Sequence, residues 1–406
     1  MGEVSRKHDG WHAPGTSPLS ELIHEVVREA VEAAIDEELN KALGADLYQR
    51  VGAGQRYGYR NGRRQRKLCG PTGNLALRIP RATLFDDGGG KREWSSKMLP
   101  RYERRLPEVN QAILDVYLGG TNTRRVKTAL QPLLKAAPLS RQAVLRVVGK
   151  LKSSFEQWRS RRLETLEVTY LYLDAIALKV RRAQRVVSTP LLMALAVLAN
   201  GDRQLLAMEL CASESVEAWQ GFIDDLNGRG LKPPLLCVID GSTGLRKAIE
   251  LSLPKALVQR CAVHKLRNLK RKAPQHAHEE VTDDFHRVVY AKSETAARAA
   301  LAVFKRKWEQ RCPAVWRSMA EAGDELLTFF RFPATQWKSL RTTNSIERLN
   351  EEFRRRVKTQ SSMPTDDTAL ILFFGLIAGG HIVIRKVEGF RLLPQVIINP
   401  ALRQAA

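Results

Sequence analysis

Residues 168 to 261 constrain the fold more tightly than any other stretch of the chain. Three strand-like runs come first: Val168 to Val180, Leu191 to Leu198 and Gln204 to Cys211. Each is short and rich in branched and aromatic residues, the pattern of a buried strand. Asn200-Gly201 lies between the second and third and is a two-residue hairpin signal. Ser215 then caps a helix from Val216 to Leu226, closed by Gly228. A fourth strand follows from Leu235 to Asp240. A helix from Thr243 to Leu251 stops before Pro254, and a fifth strand runs from Leu257 to Cys261.

Three strands, a helix, a strand, a helix and a strand is the element order of an α/β ribonuclease-H-like core with a mixed five-stranded sheet. In that arrangement the first and fourth strands are neighbours. Each carries an aspartate in or after its apolar run, Asp174 in Tyr170-Leu171-Tyr172-Leu173-Asp174 and Asp240 in Cys237-Val238-Ile239-Asp240-Gly241. The order therefore brings the two acids together. A carboxylate at a strand end is costly to keep charged without water or a cation. Lys179 and Arg181 lie too far along the strand to neutralise Asp174. Gly241 permits close backbone approach beside Asp240, whose other reading is a cap on the helix near Thr243.

Charge indicates the partner. The chain has 406 residues, 66 Lys plus Arg against 43 Asp plus Glu, and a formal net charge of +23. A polyanion is its natural complement. Divalent ions held by acids beside nucleic-acid phosphates would reconcile the carboxylates with that charge. Five scattered cysteines without a CxxC pair suit free thiols in a reducing compartment. The N-terminus has no apolar signal core, and the longest apolar run, Ala369 to Ala378, is shorter than the roughly 20 residues that span a bilayer. The expectation is a cytoplasmic, nucleoid-associated protein without a membrane partner.

Outside the core, residues 1–55 are read as an N-terminal helical region. Its helix, over 19–45, has an apolar stripe from Leu22 to Ile35 assigned to core packing. Residues 56–100 form a basic hairpin and loop region broken at Gly70-Pro71-Thr72-Gly73, with Arg60, Arg63, Arg64, Arg66 and Lys67 as phosphate contacts and tyrosines able to stack. The glycines between Asp86 and Lys91 form a loop that lacks the Gly-Lys-Ser/Thr of a phosphate-binding loop. Residues 101–160 are helical, with pieces at Val109 to Leu118, Thr123 to Leu134 and, capped by Ser140, Arg141 to Leu151. Three such helices suit a helix-turn-helix with Arg141 and Arg146 facing DNA. The core opens over 165–264, an all-helical insertion fills 265–340, and 341–406 holds the last part of the core and a tail. There Thr343 can cap a helix with Ile346, Leu349 and Phe353 buried and Glu347, Asn350, Glu351 and Arg354 on the adjoining face.

Cys261 and His264 are spaced like a metal pair, but a zinc site needs further ligands. His276 and His278 in a polar stretch are the only candidates. His264 is instead assigned a substrate-side or structural role, in contact with phosphate. With Arg267 and Arg354 it completes the expected DNA-contacting set.

The strings Tyr59-Arg60-Asn61-Gly62, Val238-Ile239-Asp240-Gly241, Gln259-Arg260-Cys261-x-x-His264-x-x-Arg267-Asn268 and Thr343-Asn344-Ser345-Ile346-Glu347-Arg348-Leu349-Asn350 carry a resemblance. Over most of residues 20 to 360 the chain resembles the Mutator-type bacterial insertion-sequence transposases. The resemblance implies a DDE triad of Asp174, Asp240 and Glu347 on a ribonuclease-H-like core. It also implies Mg²⁺ or Mn²⁺ dependence, N-terminal binding of terminal inverted repeats, and strand cleavage and transfer on double-stranded DNA. Phosphodiester chemistry suits two such ions, and paired ends call for a homodimer or larger assembly. Spacing alone does not choose Glu347 over Glu351 or Glu352; the motif does. A non-catalytic DNA-binding regulator of transposase descent and a different nuclease on the same core are the alternatives.

Overall fold

The computed structural model describes residues 18–50, 52, 57–70, 73–86, 90–119, 125–126, 129–130, 141–183, 185–357 and 362–398. The chain divides into two compact units, Met1–Lys150 and Leu151–Ala406.

In the first unit, helix α1 (Pro18–Leu43) is followed by strands β1 (Gly58–Gly70), β2 (Gly73–Phe85) and the short β3 (Lys91–Glu93), all antiparallel in the order β1-β2-β3. The basic segment is itself the first strand of the hairpin. The alternation of β2 explains why: Leu75, Leu77 and Ile79 turn inward against Ile35, Leu39 and Leu43 of α1 and against Trp94 and Leu99. Glu32 accepts the backbone N–H of Arg78 at 2.7 Å and Glu38 that of Lys97 at 2.6 Å, which fixes the helix on the sheet. The apolar stripe of α1 does not all pack as expected. Its C-terminal half is buried, whereas Leu22, Ile23, Val26 and Val27 are exposed, because the sheet reaches only the last three turns. Helix α2 (Pro107–Leu118) follows. Most of the predicted helix from Thr123 to Leu134, Ser140, and Asp87, Gly88 and Gly89 lie outside the described residues. Helix α3 (Arg141–Arg159) begins in this unit and ends in the next. It exceeds the predicted Leu151 because Phe155 and Trp158 continue its apolar stripe, where they meet Phe374 at ring distances of 5.7 and 5.4 Å.

The second unit holds the five-stranded mixed sheet. Its strands are β4 (Val168–Arg182), β5 (Arg185–Leu198), β6 (Arg203–Leu210), β7 (Leu236–Ile239) and β8 (Leu257–Arg260), in spatial order β6-β5-β4-β7-β8. The first three pair antiparallel, and β4, β7 and β8 run parallel. Helix α4 (Val216–Gly228) crosses between β6 and β7, and α5 (Thr243–Ser252) between β7 and β8. Gly201 takes φ +84°, as the tight β5–β6 turn requires. Leu171, Leu173, Cys237 and Ile239 face Trp219, Phe222, Ile223 and Ile249 of these helices.

Because side chains alternate along a strand, Tyr170, Tyr172 and Asp174 take the opposite face. Tyr172 donates to the Ser339 carbonyl there at 3.0 Å, and α11 (Asn344–Val357) packs on β4. Between β8 and α11 lies the helical insertion: α6 (Ala262–Lys272), α7 (His278–Val289), α8 (Glu294–Arg311), α9 (Pro313–Ala322), short 3₁₀ turns and α10 (Trp337–Leu340). It has its own core of Val281, Phe285, Phe304, Trp308, Val315 and Met319. The apolar run from Ala369 lies in α12 (Asp366–Ala378), buried nearly all round, and α13 (Leu393–Ile398) ends the described chain. Among the described residues no helix is long and apolar enough to cross a membrane.

Candidate active site

The parallel pairing of β4 and β7 puts Leu173 opposite Ile239. The next residues, Asp174 and Asp240, leave the register side by side. Asp174 is 6% exposed and Asp240 half-buried. Gly241, at φ +101°, turns the chain so that the Ser242 N–H donates to Asp240 Oδ1 at 2.8 Å. Ser242, rather than Asp240, caps α5 by accepting from the Leu245 N–H at 3.5 Å.

Asp174 takes its hydrogen bond from α11, where Asn350 Nδ2 donates to Oδ2 at 2.6 Å. Burial, then the Asp240 charge, push the Asp174 carboxyl up to about 7; His264 and a backbone bond oppose the rise, and Glu347 adds to it. Asp174 therefore feels both other acids of the predicted triad. Glu351 is exposed, and Glu352 is paired with Arg355 at 2.6 Å.

Glu347 stands in the first turn of α11. Thr343 precedes that helix as expected, and its carbonyl accepts the Glu347 N–H at 2.9 Å. Its hydroxyl lies 2.8 Å from Glu347 Oε1, 3.2 Å from Cys261 Sγ and 3.4 Å from His264 Nδ1. With one proton to give, it donates to the carboxylate, the nearest and strongest acceptor. His264 Nδ1 is 3.5 Å from Glu347 Oε1. A hydrogen bond with Cys261 raises the His264 pKa against the opposing effect of burial, and Glu347 and Asp174 add to the rise. Burial pushes the Cys261 thiol up, yet hydrogen bonds from His264 and Thr343 outweigh it and leave the thiol below its usual range. Among the described residues, His264 is the one basic side chain ion-paired with any of the three acids. His278 is turned to the Ala273 carbonyl at 3.2 Å, and the acid that joins Cys261 and His264 is Glu347.

The long motif at β8 divides by task. Gln259, fully buried, donates to the Leu326 carbonyl at 3.0 Å and accepts from the Phe329 N–H at 2.8 Å. Arg260 pairs with Glu325 at 3.1 Å and Glu321 at 2.5 Å. These two residues fasten the insertion to the sheet edge, while Cys261 and His264 face the acids. Sequence reasoning gave no site role to Asn350, Thr343 or Glu214, whose carboxyl is raised by burial and by Asp240. The first two carry a signal, since both share α11 or its cap with Glu347; Glu214 carries none.

The basic candidates fare differently. Arg60 donates to Asn40, Arg63 pairs with Asp36 at 2.7 Å, and Arg66 donates to the carbonyls of Leu99 and Pro100 at 3.2 and 2.7 Å. Arg64 and Lys67 are exposed, as are Arg146, Arg267 and Arg354. Arg141 opens α3, and its side chain lies outside the described residues.

Comparison with known proteins gives the class first: the relatives are transposases of insertion sequences. The chain is 34% identical over 359 residues to the transposase for insertion sequence element ISRM5 of Rhizobium meliloti (strain 1021), across 88% of this chain and 87% of that protein. It is 33% identical over 343 residues to the transposase for IS406 of Burkholderia multivorans, across 84% and 86%. It is 30% identical over 368 residues to the transposase for IS1081 of Mycobacterium tuberculosis, across 88% and 86%. The model of the Mutator family of transposases matches residues 13–381, and the chain belongs to that family.

Proposed function

We propose that the protein binds the terminal inverted repeats of its own insertion sequence and cleaves and joins DNA strands with Asp174, Asp240 and Glu347. The second unit is read as a ribonuclease-H-like core, on the strength of its β6-β5-β4-β7-β8 order with β5 antiparallel to both neighbours and β4, β7 and β8 parallel. The observation that carries the catalytic reading is Asp174: a buried carboxyl pushed up to about 7 by burial and by Asp240, with no lysine or arginine paired to it among the described residues.

That environment fits divalent cations. A buried carboxylate beside a second one is unfavourable alone and favourable around a +2 charge. Asp174 and Asp240, with Glu347, would hold Mg²⁺ or Mn²⁺, which prefer oxygen ligands. Two such ions would activate the attacking oxygen and stabilise the leaving oxygen of a phosphodiester. The chain's own part is positioning. Asn350 holds Asp174, the Ser242 N–H holds Asp240, and Thr343 orients Glu347. Hydrolysis at each element end would free a 3′-hydroxyl, which then attacks target DNA. No protein–DNA covalent bond is needed. Arg64, Lys67, Arg146, Arg267 and Arg354 supply exposed cations for phosphates. Two ends must be handled together, so a homodimer or larger assembly on double-stranded DNA is expected.

The test is cleavage and joining of end-bearing DNA by purified protein with Mg²⁺, against Asp240→Ala and Glu347→Gln. Loss of both activities is expected in each variant. Near wild-type strand transfer in either would sink the triad.

A further inference from the structure

Four atoms meet between the end of β8, the first turn of α6 and the first turn of α11: Cys261 Sγ, His264 Nδ1, Glu347 Oε1 and Thr343 Oγ1. Four of the six distances among them are 2.8 Å (Thr343–Glu347), 3.2 Å (Thr343–Cys261), 3.4 Å (Thr343–His264) and 3.5 Å (His264–Glu347). Cys261 Sγ also lies within 4.8 Å of a ring nitrogen of His264 and of a carboxylate oxygen of Glu347. A tetrahedral zinc centre, with arms of about 2.0 to 2.3 Å, has ligand–ligand edges of roughly 3.3 to 3.7 Å. Three of those four separations lie within about 0.1 Å of that range, and the fourth is shorter, so the side chains need move little to surround one ion.

We propose that Cys261, His264 and Glu347 form a binding site for one thiophilic divalent cation of the zinc type, with the Thr343 hydroxyl at the fourth corner. Thiolate and imidazole select Zn²⁺ and Co²⁺ over Mg²⁺, which favours oxygen and water. The site is therefore chemically distinct from the Asp174–Asp240 pair. Its ligands are also fixed before any ion arrives. The Cys261 N–H donates to the Ile239 carbonyl at 2.7 Å, and the Ala262 N–H to the Arg341 carbonyl at 2.8 Å. The Thr343 N–H points at Sγ from 3.3 Å, an outer hydrogen bond of the kind that steadies a bound thiolate.

A consequence rests on the triad reading. Glu347 would be shared between the two sites, so a thiophilic cation would draw it away from the aspartates and hold strand chemistry off.

The test is titration of the metal-free full-length protein with Co²⁺, read by its absorption. Expected are one equivalent bound, strong tetrahedral d–d bands and a thiolate-to-cobalt charge-transfer band, reversed by Zn²⁺ and unaffected by excess Mg²⁺. Cys261→Ser abolishes the charge-transfer band, and Cys211→Ser and Cys312→Ser leave it intact. His264→Ala and Glu347→Gln, at half-buried positions that keep the fold intact, weaken Co²⁺ binding at least about tenfold. No charge-transfer band at saturating Co²⁺, or one that survives Cys261→Ser, overturns the site. Cobalt binding as described together with active Glu347→Gln keeps this site and removes the triad. Absent cobalt binding with inactive triad variants does the reverse.

Discussion

Asp174→Asn should stabilise the metal-free protein at alkaline pH. Burial and the neighbouring acids lift the Asp174 carboxyl from 3.8 to about 7. A carboxyl raised in the native state binds its proton more tightly when folded. Between those two values the native protein therefore holds more protons than the unfolded chain, and stability falls as pH rises. At about 1.4 kcal/mol per pH unit, the full interval corresponds to a loss on the order of 4 kcal/mol by pH 8. Most of that loss accrues above pH 5, so roughly 2 to 3 kcal/mol separates pH 5 from pH 8. An asparagine carries no charge, and its side-chain oxygen can still accept from Asn350 Nδ2, which donates at 2.6 Å in the native site. The assay is guanidinium unfolding of both proteins in chelator at pH 5 and pH 8. The double difference cancels every titrating group that does not interact with Asp174. The variant should gain stability relative to wild type on going to pH 8, and Mg²⁺ should shrink the gain by stabilising wild type alone. An equal or lower relative stability of the variant at pH 8 would refute the account of Asp174 as an uncompensated buried acid.

Arg64→Ala with Lys67→Ala should weaken binding to any duplex and flatten its salt dependence without changing the melting temperature, because both side chains are exposed. Arg66→Ala should lower the melting temperature of the protein, since its guanidinium bonds backbone carbonyls at Leu99 and Pro100; unfolding by heat separates the two cases. Arg260→Ala should cost about 2 kcal/mol in urea unfolding, because charged hydrogen bonds of a buried guanidinium are lost while the partly exposed Glu321 and Glu325 keep Lys265 and Arg246 as partners. Ser293→Ala removes the cap that accepts the Ala296 N–H at 3.2 Å and should cost about 1 kcal/mol by the same measurement.

The strand and helix order of the second unit was legible because each element has an unambiguous period or stop. Strands β4 to β8 and helices α4 and α5 lie within a few residues of the predicted spans, apart from the start of β5 at Arg185. Its first four residues are exposed, so they lack the apolar run that marks the rest of the strand. Less legible was anything that depends on which neighbour an amphipathic surface meets. The α1 stripe has one periodicity from Leu22 to Leu43, yet half of it is bare, because the length of the opposing sheet is not written in the helix. Arg60, Arg63 and Arg66 read as a phosphate-binding run because their partners, Asn40, Asp36 and the carbonyls near Leu99, are remote in sequence.

The same limit explains α11. Helical spacing puts Glu347, Asn350, Glu351 and Arg354 on one face and by itself offers no reason to separate them. The sheet does separate them. Asn350 is 2% exposed and bonded to Asp174, while Glu351 and Arg354 point to solvent. Glu347 lies one turn earlier, where the helix leaves the sheet and meets Thr343, Cys261 and His264. On the proposed triad, a single turn of helix separates the acid that would join Asp174 and Asp240 from those that would not. That makes the cap part of the chemistry: Thr343→Val keeps the side-chain volume but frees Glu347 Oε1 from its only hydroxyl donor among the described residues. It should therefore lower strand cleavage and leave the unfolding midpoint nearly unchanged.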